Sequence, residues 1–146
     1  MTTELKPGMV FEKTITVTEE MTPRFLVGSG IRVIATPELV RLMEQAAQEG
    51  VGKLLPPHQT TVGMRVELRH LAASPIGMTV TARCTLREID RRRLVFSAEV
   101  HDELDKVGEG THERFIVDSA KHQERVQEKM ARWKNGPASS PETGIR

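Results

Sequence analysis

Aromatic side chains are scarce in this chain: no tyrosine, one tryptophan and four phenylalanines among 146 residues. Recognition of single-stranded nucleic acid by stacked bases, which needs aromatic platforms, is therefore not expected. Cysteine is rarer still. Cys84 stands alone, so no internal disulfide framework can form and a reducing, cytoplasmic compartment is expected. No apolar run approaches the ~18 to 20 residues of a membrane span, and the opening MTTELKPG has no signal-peptide core. No sign of charge dominates either. The net charge is +1, and Arg91-Arg92-Arg93 is flanked by Glu88 and Asp90, which argues against a nucleic-acid footprint. GxSxG, Walker and GxGxxG sequences are missing. His58, His101, His112 and His122 show no HxH, HExxH or paired-cysteine spacing, so no metal site is expected.

What remains is a globular chain, 38% hydrophobic and 28% charged, long enough to bury a real core. Met9 to Val17 reads as a strand with Phe11, Lys13, Ile15 and Val17 on one face, and Glu19 to Gly30 as a loop. From Thr36 onward, Leu39, Val40, Leu42, Met43, Ala46, Ala47 and Val51 recur at helical spacing, with Pro37 and Glu38 as start signals. Thr60 to His70 alternates, predicting Val62, Met64, Val66, Leu68 and His70 on one side of a strand. Met78 to Ile89, Arg93 to His101 and Lys106 to Val117 follow as antiparallel strands. Their inward positions are Val80, Ala82, Cys84 and Leu86, then Leu94, Phe96, Ala98 and Val100. Gly108 and Gly110 suggest a bulge, or a backbone held close to a ligand or a partner subunit. Ser119 to Trp133 reads as a charged helix capped by Ser119, and the Pro-, Gly- and Ser-rich 135–146 as a disordered tail behind a single domain spanning 1–134. The order implies an α+β fold with one central helix packed on a curved antiparallel sheet.

Three side chains in the central stretch have chemical promise. Thr36 is most simply a helix N-cap, yet a hydroxyl at a helix N-terminus also sits where developing negative charge is favoured. Glu44 is the one acid at the edge of the helix's apolar arc, placed to act as a base or to hold an imidazolium. His70 closes the apolar strand face; it is either a satisfied rim histidine or a general base. Cys84, in mid-strand, reads as a small core residue. Arg91-Arg92-Arg93 reads as a charged hairpin turn.

The segments ATPELVRLMEQAA, QTTVGMRVELRHLAASPIGM and HDELDKVGEGTHERFIV resemble the fluoroacetyl-CoA thioesterase-like family of hotdog-fold thioesterases, over about residues 9–120. The resemblance implies a hotdog fold, an antiparallel sheet wrapped around a long helix, and at least a homodimer with sites at the subunit interface. The family's Thr, Glu and His fall on Thr36, Glu44 and His70. Its glycine near the thioester corresponds to Gly63 and its site-proximal arginine to Arg114. The member selective for fluoroacetyl groups places aromatic lid residues before the helix. Here that segment is RFLVGSGIRV, with Phe25 its only aromatic, so the hydrolytic centre carries over and the fluorine-selective gate does not. The expected activity is hydrolysis of a short-chain or small acyl-CoA to the acid and free coenzyme A. No cofactor is expected beyond the coenzyme A of the substrate, and His70 would be oriented or charge-balanced by Glu44. A non-catalytic acyl-CoA binding module is the other reading.

Overall fold

Five strands form one sheet in the order β1-β3-β4-β5-β2, with every neighbouring pair antiparallel. They are β1 Val10–Thr16, β2 Gln59–His70, β3 Thr79–Asp90, β4 Arg93–His101 and β5 Lys106–Asp118; the helices are α1 Thr36–Gly52 and α2 Ser119–Lys134. This computed structural model describes residues 4–26 and 28–136. Most of the segment expected to be a disordered tail, 137–146, lies outside them.

α1 touches both edge strands, β1 and β2, as well as β3 and β4 between. A sheet can meet one helix with both its edges only by curling around it, the arrangement the hotdog resemblance implied. The helix buries Leu39, Leu42, Met43, Ala46, Ala47 and Val51. Opposite them lie Val80, Ala82, Cys84 and Leu86 of β3 and Leu94, Phe96, Ala98 and Val100 of β4. Full burial of one such Leu or Phe side chain contributes about 1.5 to 3 kcal/mol. Gly50 lets Phe11 lie on the helix, since a Cβ there would stand 2.3 Å from the Phe11 ring.

β2 departs from the simple alternation. Its register passes from Gly63 opposite Arg114 to Arg65 opposite Glu113, so Met64 is an extra residue, a β-bulge. The bulge shifts the phase of the strand. Thr61 and Gly63 face the helix before it, and Val66, Leu68 and His70 after it. Val62 and Met64, expected to face inward, turn to the outer side, and Met64 is 53% exposed.

The glycines of β5 let its backbone lie close against β2. A Cβ on Gly110 would lie 1.9 Å from the Glu67 carbonyl oxygen, and one on Gly108 3.3 Å from that of Arg69, both on β2. At the far end of the chain Ser119 is the first residue of α2, Asp118 holds the N-cap position, and neither side chain makes a capping bond. No residue of α2 is buried.

Candidate active site

Two groups of polar side chains meet the inner surface of β2, one at the start of α1 and one at its middle. At the helix start, Ala35 is the N-cap residue and no side chain makes a capping hydrogen bond. Thr36 is thus not the cap that its neighbour Pro37 suggested. As the first helical residue it turns its Oγ1 to His70, 2.8 Å from Nδ1. His70 arrives there because β2 runs opposite to α1, so the last residue of the strand meets the first of the helix. The strand end is pinned by the pairing of His70 with Gly108 and by the Leu71 N–H donating to the Val107 carbonyl at 2.8 Å. His70 Nε2 is enclosed and has no hydrogen-bond partner among the described residues.

The second group lies two turns further along. Glu44 is eight residues from Thr36, which at 1.5 Å per residue is about 12 Å along the axis. Its Oε2 is 3.5 Å from Arg114 Nη1. Beneath the carboxylate is Gly63, where a Cβ would stand 2.7 Å from Oε2. The Glu44 side chain is half-buried, as its place at the edge of the apolar arc suggested, with 41% exposure, and it faces a cation. Within one chain, therefore, His70 is met by Thr36 and Glu44 by Arg114.

Arg114 is buried and almost fully engaged. Nε donates to Thr61 Oγ1 at 2.8 Å, Nη2 to the Thr61 carbonyl at 3.0 Å, and Nη1 to His112 Nε2 at 3.1 Å. His112 has no solvent exposure, and its Nδ1–H donates to the Arg65 carbonyl at 2.9 Å. Since Nε2 accepts from a guanidinium, the imidazole is neutral with its proton on Nδ1. Its pKa is lowered, first by burial and also by the Arg114 charge, while the Arg65 carbonyl and the Glu44 and Glu113 carboxylates pull the other way. Burial also lowers the pKa of Arg114, against the charge of Glu44.

His112 is the member of this group that sequence reasoning passed over, having weighed it only as a metal ligand. A signal was present. Gly108, Gly110, His112 and Arg114 share one strand face, and two polar residues in phase with two glycines mark an inward face that is not ordinary apolar core. Cys84, by contrast, is the core residue its position suggested: burial pushes its thiol up to about 12 and its Sγ lies 3.5 Å from the Met43 carbonyl. Phe25 is 87% exposed. The arginine run forms the β3–β4 turn, where Arg91 adopts a left-handed φ of 57°.

The family model described as fluoroacetyl-CoA-specific thioesterase matches residues 17–120 of the chain. A fluoroacetyl-CoA thioesterase of Streptantibioticus cattleyicolor is 37% identical over 97 residues, 66% of this chain and 70% of that protein. The solved structure of the fluoroacetyl-CoA thioesterase FlK superposes with a TM-score of 0.79 at 32% identity, covering 87% of this chain and 98% of the other. A thioesterase superfamily member from Thermus thermophilus reaches a TM-score of 0.83 at 30% identity, over 90% of this chain and 98% of its own.

Proposed function

Because the chain belongs to the fluoroacetyl-CoA-specific thioesterase family, we propose that it hydrolyses a small acyl-CoA thioester to the carboxylic acid and free coenzyme A. The observation that carries the reading is the 2.8 Å contact between Thr36 Oγ1 and His70 Nδ1. A threonine hydroxyl is a poor nucleophile until a base takes its proton, and here the base is within hydrogen-bond reach. Thr36 Oγ bonds to the thioester carbonyl carbon while its proton passes to His70. The oxyanion formed sits at the N-terminus of α1, where the helix dipole favours negative charge. Collapse breaks the C–S bond, and the coenzyme A thiolate leaves with the proton from His70. Water then attacks the Thr36 ester, its proton passing to His70; collapse breaks the C–Oγ bond, releases the acid and returns that proton from His70 to Thr36 Oγ.

The two polar groups become one site in a homodimer. Among the described residues both edges of the sheet are unpaired, and β2 carries Gly63 near one end and His70 at the other. Isologous antiparallel pairing of two β2 strands about Val66 and Glu67 sets Gly63 of one protomer beside His70 of its partner. Glu44 and Arg114 of one subunit then flank Thr36 and His70 of the other, with the Glu44 carboxylate placed to balance the charge of the protonated His70. The exposed Met64 on this edge would be covered by the same pairing.

Gly63 and the small residues of α1 support a short acyl group. With the aromatic lid reduced to an exposed Phe25, the reading is of a small-acyl thioesterase without a fluorine gate. The scheme draws on no cofactor beyond the coenzyme A of the substrate. No helix among the described residues is long and apolar enough to cross a membrane. A buried free thiol at Cys84 fits the cytoplasm.

The test is free-thiol release from a panel of acyl-CoA thioesters. Loss of a general base typically costs about 10² to 10⁴-fold, so His70→Ala should lower turnover by that order. An unchanged His70→Ala rate would remove His70 from the chemistry. Binding of coenzyme A derivatives without thiol release by the wild type would replace the enzyme with a binding module.

A further inference from the structure

Arg114 holds Glu44 through a single long contact of 3.5 Å, whereas its own position is set by three shorter bonds, two of them to Thr61 and one to His112. The two Thr61 bonds engage Nε and Nη2. Nη1, the nitrogen that faces Glu44, is the one His112 receives. His112 is in turn fixed by its Nδ1–H on the Arg65 carbonyl, one residue past the Met64 bulge, and by stacking on Phe96 at 6.1 Å. A chain of contacts thus runs from the bulge in β2, through His112 and Arg114, to the carboxylate over Gly63. The two side chains that carry it, His112 and Arg114, are both buried.

We propose that His112 is a positioning residue for the thioester-hydrolysing site: as a neutral, Nδ1-protonated imidazole it aims Arg114 Nη1 at Glu44 and so sets where the Glu44 carboxylate stands. The proposal rests on the hydrolytic reading given above. Its chemistry is specific to an imidazole in one tautomer. Nδ1 must donate to a carbonyl and Nε2 must accept from a guanidinium, and no other side chain offers a donor and an acceptor at those two positions in a rigid ring. Misplacement of an acting group by about 1 Å can cost on the order of a hundredfold in rate, so a residue that never touches substrate can still govern turnover.

Three substitutions separate this role from mere packing. His112→Phe keeps the ring and its stacking on Phe96 but has neither bond. His112→Gln reaches the Nε2 position and can accept from Arg114. His112→Asn reaches only the Nδ1 position and can bond only the Arg65 carbonyl. Thermal melts identify the folded variants, and kcat and KM are measured for each, alone and combined with Glu44→Gln. The expected result is a fall in kcat of on the order of ten- to a hundredfold for the Phe and Asn variants, with KM changed little and Gln recovering most of the loss. None should add a further loss to Glu44→Gln. If the Phe variant fails to fold, the Gln and Asn pair decides alone.

Equal kcat for Gln and Asn overturns the proposal, as does an undiminished loss in the Glu44→Gln background. A wild type that hydrolyses thioesters while the His112 variants match it overturns the role of His112 only. A wild type that releases no thiol overturns the hydrolytic reading, and this role with it.

Discussion

Gly63 lies directly beneath the Glu44 carboxylate, so close that a Cβ at position 63 would stand 2.7 Å from Glu44 Oε2. The atom it would meet is the far end of a flexible side chain, which can swing away. Gly63→Ala should therefore cost stability little, within about 1 kcal/mol, and act on Glu44 instead. The expected outcome is a loss of kcat/KM of about tenfold or more from displacement of the carboxylate. Gly110→Ala supplies the contrast. There the added carbon would lie 1.9 Å from the backbone oxygen of Glu67, which cannot move without parting β5 from β2. Chemical denaturation should find it destabilised by more than about 3 kcal/mol.

Thr36 separates two roles that look alike in the sequence. A capping threonine replaced by an apolar residue costs typically about 1 kcal/mol, from the loss of a side-chain bond to the helix backbone. Thr36 makes no such bond and sits one residue inside the cap. Thr36→Val should cost the unfolding free energy only the single bond to His70, about 0.5 to 1.5 kcal/mol, while lowering thiol release at least about 10²-fold. Thr36→Ser, which keeps a hydroxyl facing His70, should hold most of the rate. A stability loss in Thr36→Val without a loss of rate would return Thr36 to a structural role.

How far these features could be read in advance depended on whether one residue's environment was set locally. α1 was legible because Leu39, Leu42, Met43, Ala46, Ala47 and Val51 all answer to one core. The alternations of β3 and β4 were legible for the same reason, since Cys84 and Phe96 face that same core. β2 was not. Val62 and Met64 fit an even-numbered apolar face as well as Val66 and Leu68 do, and the glycine that marks the bulge, Gly63, was read for the site instead. Only the register with β5 moves Thr61 and Gly63 to the inner side. The same register is what brings Gly63 under Glu44 and leaves Arg114 between Thr61 and His112. Thr36 and His70 were visible as residue types, but their contact depends on β2 running back along α1 for its full length.

The buried histidine gives the fold a pH dependence with a definite sign. His112 has a lower pKa folded than unfolded, mainly because burial disfavours the charged ring. The groups facing it are Arg114 and Glu113 on β5, Glu44 on α1 and the Arg65 carbonyl on β2. Above the unfolded value near 6.5 both states are neutral at this site and it contributes no slope. Below that value the unfolded chain binds a proton the folded chain refuses, so stability falls with falling pH, by up to about 1.4 kcal/mol per unit, until the folded pKa is reached. Urea titrations should show a steeper acid-side loss in wild type than in His112→Gln. Parallel curves for the two proteins would mean that the ring is protonated equally in both states.

Whether the site is shared between subunits can be decided by mixing two inactive proteins. Thr36→Ala removes the nucleophile and leaves Glu44; Glu44→Gln does the reverse. If both groups served the same chain, every site in a mixed dimer would lack one of them and mixing would restore nothing. In a shared arrangement each mixed dimer holds one site with both defects and one with neither. Unfolding and refolding an equimolar mixture makes half the dimers mixed, so about a quarter of the wild-type sites should return. Thiol release at that level places Glu44 across the interface from Thr36 and His70, and it would explain why a single chain keeps them about 12 Å apart. No recovery, with mixed dimers verified by mass, would mean that Glu44 reaches Thr36 and His70 within its own chain by a rearrangement of α1 or β2.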